Sequence, residues 1–477
     1  MKRIVVSVIM VLGLLAFASA ALAQIGSDTV VHNTSWSFQN LGSDPASVHV
    51  DLYDTSGALI ATDDFTVDPS AAFWAPDYAP LDGHEPFDGG LVASSSQPLA
   101  SIANQVAQNN TTGKLGNATY MGFTADTVGT TIYLPSVMKS FAGIYWTEVS
   151  VQSTGGDLNV AVHYFNPDGT EVSGSPVNYA VPAGSPIRIA QEDETILPAN
   201  WIGSATVVSD GDPVAVVVNE FYGTSGNMYN QFYSYEGFAA GATTVIIPAA
   251  FINGYDGSYN ASFSVQNLNG PSDPANVHYY FYEQADGSLA YDFTYTVATA
   301  DARWLPTESY AQTLIDNHPD QGWVGSIVIE SDNPIVGMAN ELAGGYWAAS
   351  YVGIMDGSGT VCFPVALADA YGLPANTAFS VVDVNNTASP INITVHYYAD
   401  TVACPGCSDA DVDETFTTVA SYYQPLHIPA SAMQGTTYIG SVCVEATTPG
   451  AVINGVMNEV LGGATQDNFT AFNGFAQ

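Results

Sequence analysis

The chain has 477 residues, with 46 acidic and six basic side chains and a formal net charge of −40. A balance this negative repels phosphate backbones and anionic lipid heads, which excludes nucleic acid and acidic membranes as partners. Yet only 11% of the residues are charged, so most of the polar surface must come from Ser, Thr, Asn, Gly and Gln.

Residues 1–23 combine Lys2 and Arg3, an apolar run from Ile4 to Phe17 and the small-residue exit Ala21-Leu22-Ala23 before Gln24. This is the pattern of a secretory signal peptide, too short and wrongly flanked for a membrane anchor. The expected mature chain is extracellular and starts at Gln24. It keeps Lys114, Lys139, Arg188 and Arg303 as its bases and has no later run of the roughly 20 apolar residues needed to span a membrane as a helix. Any hold on a surface is therefore expected to be non-covalent.

The rest of the chain repeats itself four times. The phrase Tyr-x-Gly-Phe stands at Tyr120-Gly122-Phe123 and Tyr235-Gly237-Phe238, and returns as Tyr351-Gly353-Ile354 and Phe472-Gly474-Phe475. The glycines lie 115, 116 and 121 residues apart, one domain's worth of chain. Matching phrases keep the step. A strand end falls at Gln39, Gln152, Gln266 and Val382, and a Val-His pair at His49, His163, His278 and His396. An aromatic-x-Gly entry starts at Phe87, Trp201, Trp323 and Tyr438, and an Asn-Gln or Asn-Glu pair falls at Asn104-Gln105, Asn219-Glu220, Asn340-Glu341 and Asn458-Glu459. A single active site would not be copied four times, so function is sought in an array.

Each copy is a series of short segments rich in Val, Ile, Thr, Tyr and Phe, punctuated by Asp-Gly and Asn-Gly turns, which predicts antiparallel strands. Residues 309–316 make at most one or two helical turns. Seven or eight strands in about 115 residues predict an all-β chain of four tandem immunoglobulin-like sandwiches, at 24–128, 129–242, 243–358 and 359–477. A further phrase, apolar-Pro, occurs only three times, at Ile132–Pro135, Val245–Pro248 and Val361–Pro364. Either it opens a module, and the first module's copy falls inside the signal peptide unless Thr29–Val31 substitutes, or it closes one and the fourth is short. Both leave one terminal module with an incompletely covered sheet edge, a route to self-association. Short linkers predict a semi-rigid array.

Few residues ask for chemistry. The four framework histidines read as half-buried, hydrogen-bonded side chains, and no zinc pairing, phosphate loop or nucleophile elbow occurs. The repeated Asn-Glu pairs read as Asn bonding backbone where a strand leaves the sheet. An enzyme is not expected. Among the acidic clusters Asp63-Asp64, Glu192–Glu194 and Asp409-Asp411-Asp413-Glu414, the last is the candidate Ca²⁺ site, since hard cations take oxygen ligands. The same alternation also describes the wet face of an edge strand. No other cofactor is implied. The four cysteines suit an oxidising compartment: Cys362 and Cys443 sit on apolar strands and should pair, as should Cys404 and Cys407 across a turn. Asn-x-Ser/Thr sequons, such as those at Asn117 and Asn260, are compatible with glycosylation.

The signal peptide, the scarcity of Lys and Arg, the sequence pI near 4.1 and phrases such as Trp201–Ser209 leading to Pro213–Asn219 resemble bacterial surface-layer and cell-surface proteins built from tandem immunoglobulin-like repeats. The resemblance implies a secreted structural protein that self-assembles at the cell surface as a layer, filament or matrix component. The alternative is an adhesin-like array binding cell-wall or surface carbohydrate, or a protein partner, through aromatic stretches such as Tyr229–Tyr235 and Tyr346-Trp347.

Overall fold

The computed structural model describes residues 21–25, 28–75, 87–109, 115–224, 227–344, 347–370, 375–385, 390–401, 403–417, 426–428, 437–461 and 469–477. The chain is mostly β, in antiparallel sheets. Strand pairing falls into four consecutive blocks, residues 21–121, 129–238, 242–354 and 358–476, and among the described residues no strand pair joins one block to the next.

The second block shows the plan. One sheet runs Pro186–Ala190, Tyr145–Ser153, Val214–Thr224, Asn227–Glu236, and the other Val177–Val181, Leu158–Phe165, Trp201–Ser209, Thr131–Lys139. Alternation builds the core between them. Along Leu158–Phe165, Leu158, Val160, Val162 and Tyr164 point inward while Asn159 and His163 face outward, the period of a strand with one wet face. Val149, Val151, Val216 and Val218 meet them from the other sheet. In the third block, Trp323–Ala343 runs through both layers and makes one seven-stranded sheet. The helical stretch anticipated near 309–316 is a helix at Ala311–Asn317.

The apolar-Pro phrase opens a block. Thr131–Lys139 pairs with Trp201–Ser209, Ala242–Ile252 with Trp323–Ala343, and Thr360–Ala368 with Tyr438–Ala446. These opening strands are buried almost continuously rather than in alternation, because the next block covers their second face. Their prolines sit at β-bulges, where the register slips between Gly203 and Ala205, Ile247 and Ala250, and Phe363 and Ala366. A residue without an N–H costs a sheet least at such a point.

The Tyr-x-Gly-Phe phrase clamps the opening strand from the other side. Tyr235 Oη accepts from Ser136 N at 3.2 Å and donates to Ser136 O at 2.6 Å, and Tyr351 serves Ala249 N and O in the same way. Two backbone groups stranded by each bulge are thus satisfied. The glycine is needed for contact: a Cβ at Gly237 would run into Ile132, at Gly353 into Val245 and at Gly474 into Val361. The last residue of the phrase bridges the opening strand by backbone, Phe238 to Tyr133 and Ile354 to Ile246, while Phe475 pairs with Cys362.

The blocks close into a ring. Leu115–Met121 packs on Asn227–Glu236, that strand on Trp347–Val352, that one on Phe469–Asn473, and Phe469–Asn473 packs back on Leu115–Met121. Cores run across the junctions. Val336 and Met338 of the third block belong to the second block's core, Val456 and Ala471 of the fourth to the third's, and Ile102 of the first to the fourth's. The tandem array read from the sequence is therefore curled on itself, its first and last blocks in contact. Ser37 Oγ donates to Pro364 O at 3.1 Å and Ser441 Oγ to Ser70 O at 3.1 Å across that closure.

Candidate functional site

The strand pairs that face the ring's axis carry the repeated Asn-Glu residues. Glu220 and Glu341 are 0% exposed and Glu459 2%, so each carboxyl lies in the packed interior. Asn340 Nδ2 donates to Glu220 Oε2 at 2.7 Å and Asn458 Nδ2 to Glu341 Oε2 at 2.8 Å, each bond joining one block to the preceding one. The Asn oxygen is used inside its own block. Thr119 Oγ1 donates to Asn104, Ser234 Oγ to Asn219 at 2.7 Å, and Ser350 Oγ to Asn340, each hydroxyl standing directly opposite its Asn in the strand register. In the fourth block the opposite residue is Ala471, and Asn458 Oδ1 is buried without a partner. The sequence reading, in which these asparagines bond backbone, is corrected: Asn104, Asn219 and Asn340 take a side-chain hydroxyl of the facing strand, and Asn340 and Asn458 tie their blocks to the preceding one. The legible signal was Gln105, an amide where the other copies have a carboxyl.

Burial pushes Glu220 up to about 7 and Glu459 up to about 7; it pushes Glu341 up to about 8, with Asn458 pulling weakly the other way. Glu236, which accepts from Met121 N at the junction of the first two blocks, is pushed up to about 7 by burial as well. Held this way, a carboxyl keeps its proton to a much higher pH than an exposed one does, and its protonated form resembles the amide that Gln105 puts in the same place.

A second feature is a cleft of about 410 Å³ between the third and fourth blocks, lined by Phe251, Tyr255, Tyr259, Phe469, Gln284 and Asn376 among others. Tyr255 and Tyr259 meet edge to face at 5.5 Å, and Phe251 lies 5.4 Å from Tyr259. Tyr255 is 44% exposed and sits at φ 52°, between Asn253 at 49° and Asp256 at 62°. Left-handed backbone at bulky residues costs on the order of 1–3 kcal/mol each, and such strain concentrates at binding sites.

The other expected residues lie elsewhere. Asp409 Oδ1 accepts from Ala399 N at 2.9 Å. Asp411, Asp413 and Glu414 lie on the edge strand Ala410–Thr417, opposite His396, Thr394 and Ile393, with their side chains outside the described residues. Among the described residues no cluster of three acidic, His or Cys side chains is placed to hold a metal ion. The structure joins Cys362 to Cys443, which face each other in register, and Cys404 to Cys407. The framework histidines each meet a carboxylate: His49 with Asp64 at 2.8 Å, His163 with Glu171 at 2.8 Å, His278 with Asp292 at 2.7 Å and His396 with Glu445 at 3.2 Å. Phe232, Tyr233 and Tyr235 are buried rather than offered to solvent, Phe232 in a cluster with Ala107 and Ala118 of the first block, and Trp347 stacks on Phe469 at 6.4 Å; Tyr229 and Tyr346 lie outside the described side chains. Asn117 is 2% exposed, which removes its sequon from the folded surface. No helix among the described residues is long and apolar enough to cross a membrane.

No protein-family model and no curated protein matches the chain. Among solved structures, vicilin from Corylus avellana (hazelnut) aligns at 9% identity over 76% of this chain and 78% of its own, with a TM-score of 0.13. Dimeric latent PorU from Porphyromonas gingivalis aligns at 10% identity over 79% of this chain and 32% of its own, also with a TM-score of 0.13.

Proposed function

We propose that the chain is a secreted or cell-surface structural protein that self-assembles outside the cell, each molecule a ring of four sandwich modules at 24–128, 129–242, 243–358 and 359–477. The modules are immunoglobulin-like in size and two-layered build, with a strand order of their own. The observation that carries this reading is the use of the repeated residues. The Asn-Glu pairs, the Tyr-x-Gly-Phe phrases and the opening strands all hold blocks to themselves and to each other, so the repetition serves construction and not turnover. The reading is non-enzymatic. Because the surface is strongly acidic, bridging by Ca²⁺ should favour packing of rings side by side. Electron microscopy of the purified mature protein with Ca²⁺ or a chelator tests this: ordered arrays support it, and isolated rings under all conditions contradict it.

The cleft favours a second reading, binding of surface carbohydrate or a partner. Exposed Tyr255 beside Gln284 and Asn376 offers an aromatic face with amide hydrogen bonds, the combination that sugar rings use. Glycan-array binding that is lost in Tyr255→Ala would support it.

A further inference from the structure

Among the described residues the first block has no opening strand, and what that strand would touch is still in place. Thr29–Val31 does not substitute. It belongs to Asp28–Asn40, pairing with Leu99–Asn109 in the other sheet, Val30 opposite Asn109. The strand Gly89–Ser95 pairs with Ala46–Asp54 on one side, and among the described residues nothing pairs with its other edge. In the other blocks that edge receives the opening strand.

Four details show a receptor rather than a merely shorter sheet. Leu91 and Ala93 are half-buried and Val92 is 42% exposed, whereas Ala205, Val207, Ile327, Ile329, Val442 and Val444, at the places of Leu91 and Ala93 in the other blocks, are all 0% exposed. Tyr120 keeps the hydroxyl that Tyr235 and Tyr351 spend on the bulge of an opening strand, and makes no such bond among the described residues. Among the described residues the backbone of Phe123 has no counterpart of the bridges made by Phe238 and Ile354. The edge itself, Gly-Gly-Leu-Val-Ala-Ser-Ser, carries neither charge nor proline, the usual guards against strand addition.

The geometry points to a strand-accepting groove in the first block, bounded by Gly89–Ser95 and by Tyr120–Phe123, that is filled by an extended segment of another protein with the pattern apolar-x-apolar-Pro-small. The three resident opening strands define that chemistry: alternate apolar side chains enter the core and the proline takes the bulge, and in the second and third blocks the residue after it receives the tyrosine hydroxyl. A second copy of this chain is a poor donor, since each of its own opening strands is held in its own block. Backbone hydrogen bonds supply affinity and the alternate pockets supply selectivity, as in strand addition generally. The inference takes from the assembly reading only that the open edge is a contact point.

The test uses a synthetic peptide of residues 131–139 as the probe and the full mature chain as receptor. Binding by fluorescence anisotropy should be one to one and should raise the melting temperature, while a scrambled peptide should do neither. Leu91→Asp should abolish binding, and Tyr120→Phe, which leaves the fold intact, should weaken it roughly two- to tenfold. No binding to the folded wild-type chain, or equal binding to Leu91→Asp, overturns the groove. If the chain alone forms a dimer that the peptide dissolves, the choice of a foreign donor is overturned. Peptide failure would leave the microscopy of assembly to be decided separately.

Discussion

Asn340 donates its amide to the buried carboxyl of Glu220 at 2.7 Å from 120 residues away in sequence, and one block later Asn458 does the same for Glu341. The bond is a rivet between modules, because its two ends belong to neighbouring cores. Removing the amide strands a carboxyl and the Ser350 hydroxyl together. Asn340→Ala should therefore cost about 1–3 kcal/mol in urea denaturation, and a change within about 0.5 kcal/mol would mean that the bond is incidental.

The fourth block supplies the converse experiment. Asn458 Oδ1 is buried and unpartnered where Ala471 replaces the Ser or Thr of the other copies. Ala471→Ser restores that hydroxyl on the same register. It should stabilise the protein by about 0.5–1.5 kcal/mol, read as a rise in urea midpoint at unchanged slope. A fall would show that the site has no room for the oxygen.

Glu220, Glu236, Glu341 and Glu459 titrate in the folded protein near 7 to 8, above the ordinary value of 4.5. The unfolded chain releases these protons first. Stability should thus be greatest near pH 5, fall as the pH rises toward 8, and level off once the folded carboxyls have also ionised. Each group contributes up to about 1.4 kcal/mol per pH unit within that window. Glu341→Gln should flatten the slope between pH 5 and 8 in thermal denaturation, and an unchanged slope would remove Glu341 from the account.

The bond between Cys362 and Cys443 spans 81 residues and ties the fourth block's opening strand to its neighbour. Reduction, or replacing both cysteines by Ala, should destabilise the protein by about 2–5 kcal/mol. Calorimetry that shows identical melting with and without reductant would contradict this.

Much of the strand plan could be read from the repeats, because period-two alternation and turn residues are local signals. A shortfall of one strand was legible too, as three apolar-Pro phrases against four Tyr-x-Gly-Phe phrases, but the phrases alone fitted a short first block as well as a short fourth one. The ring was not legible. Its contacts, such as Ser37 with Pro364, join the two ends of the chain, and no local pattern encodes a distance of that kind. The role of the Asn-Glu pairs was misread for the same reason: the carboxyl that Asn340 bonds, and the one that Asn458 bonds, lies in another copy. The cleft at Tyr255 left no signal in the repeats, since its αL turn belongs to one block alone.

Small-angle X-ray scattering of the monomeric mature chain tests ring closure most directly. A closed ring of about 454 residues should have a radius of gyration near 22–23 Å, as expected for one compact body. Four sandwiches strung in a line would give roughly twice that value, and such a result would contradict the closed ring and the junctions built on it.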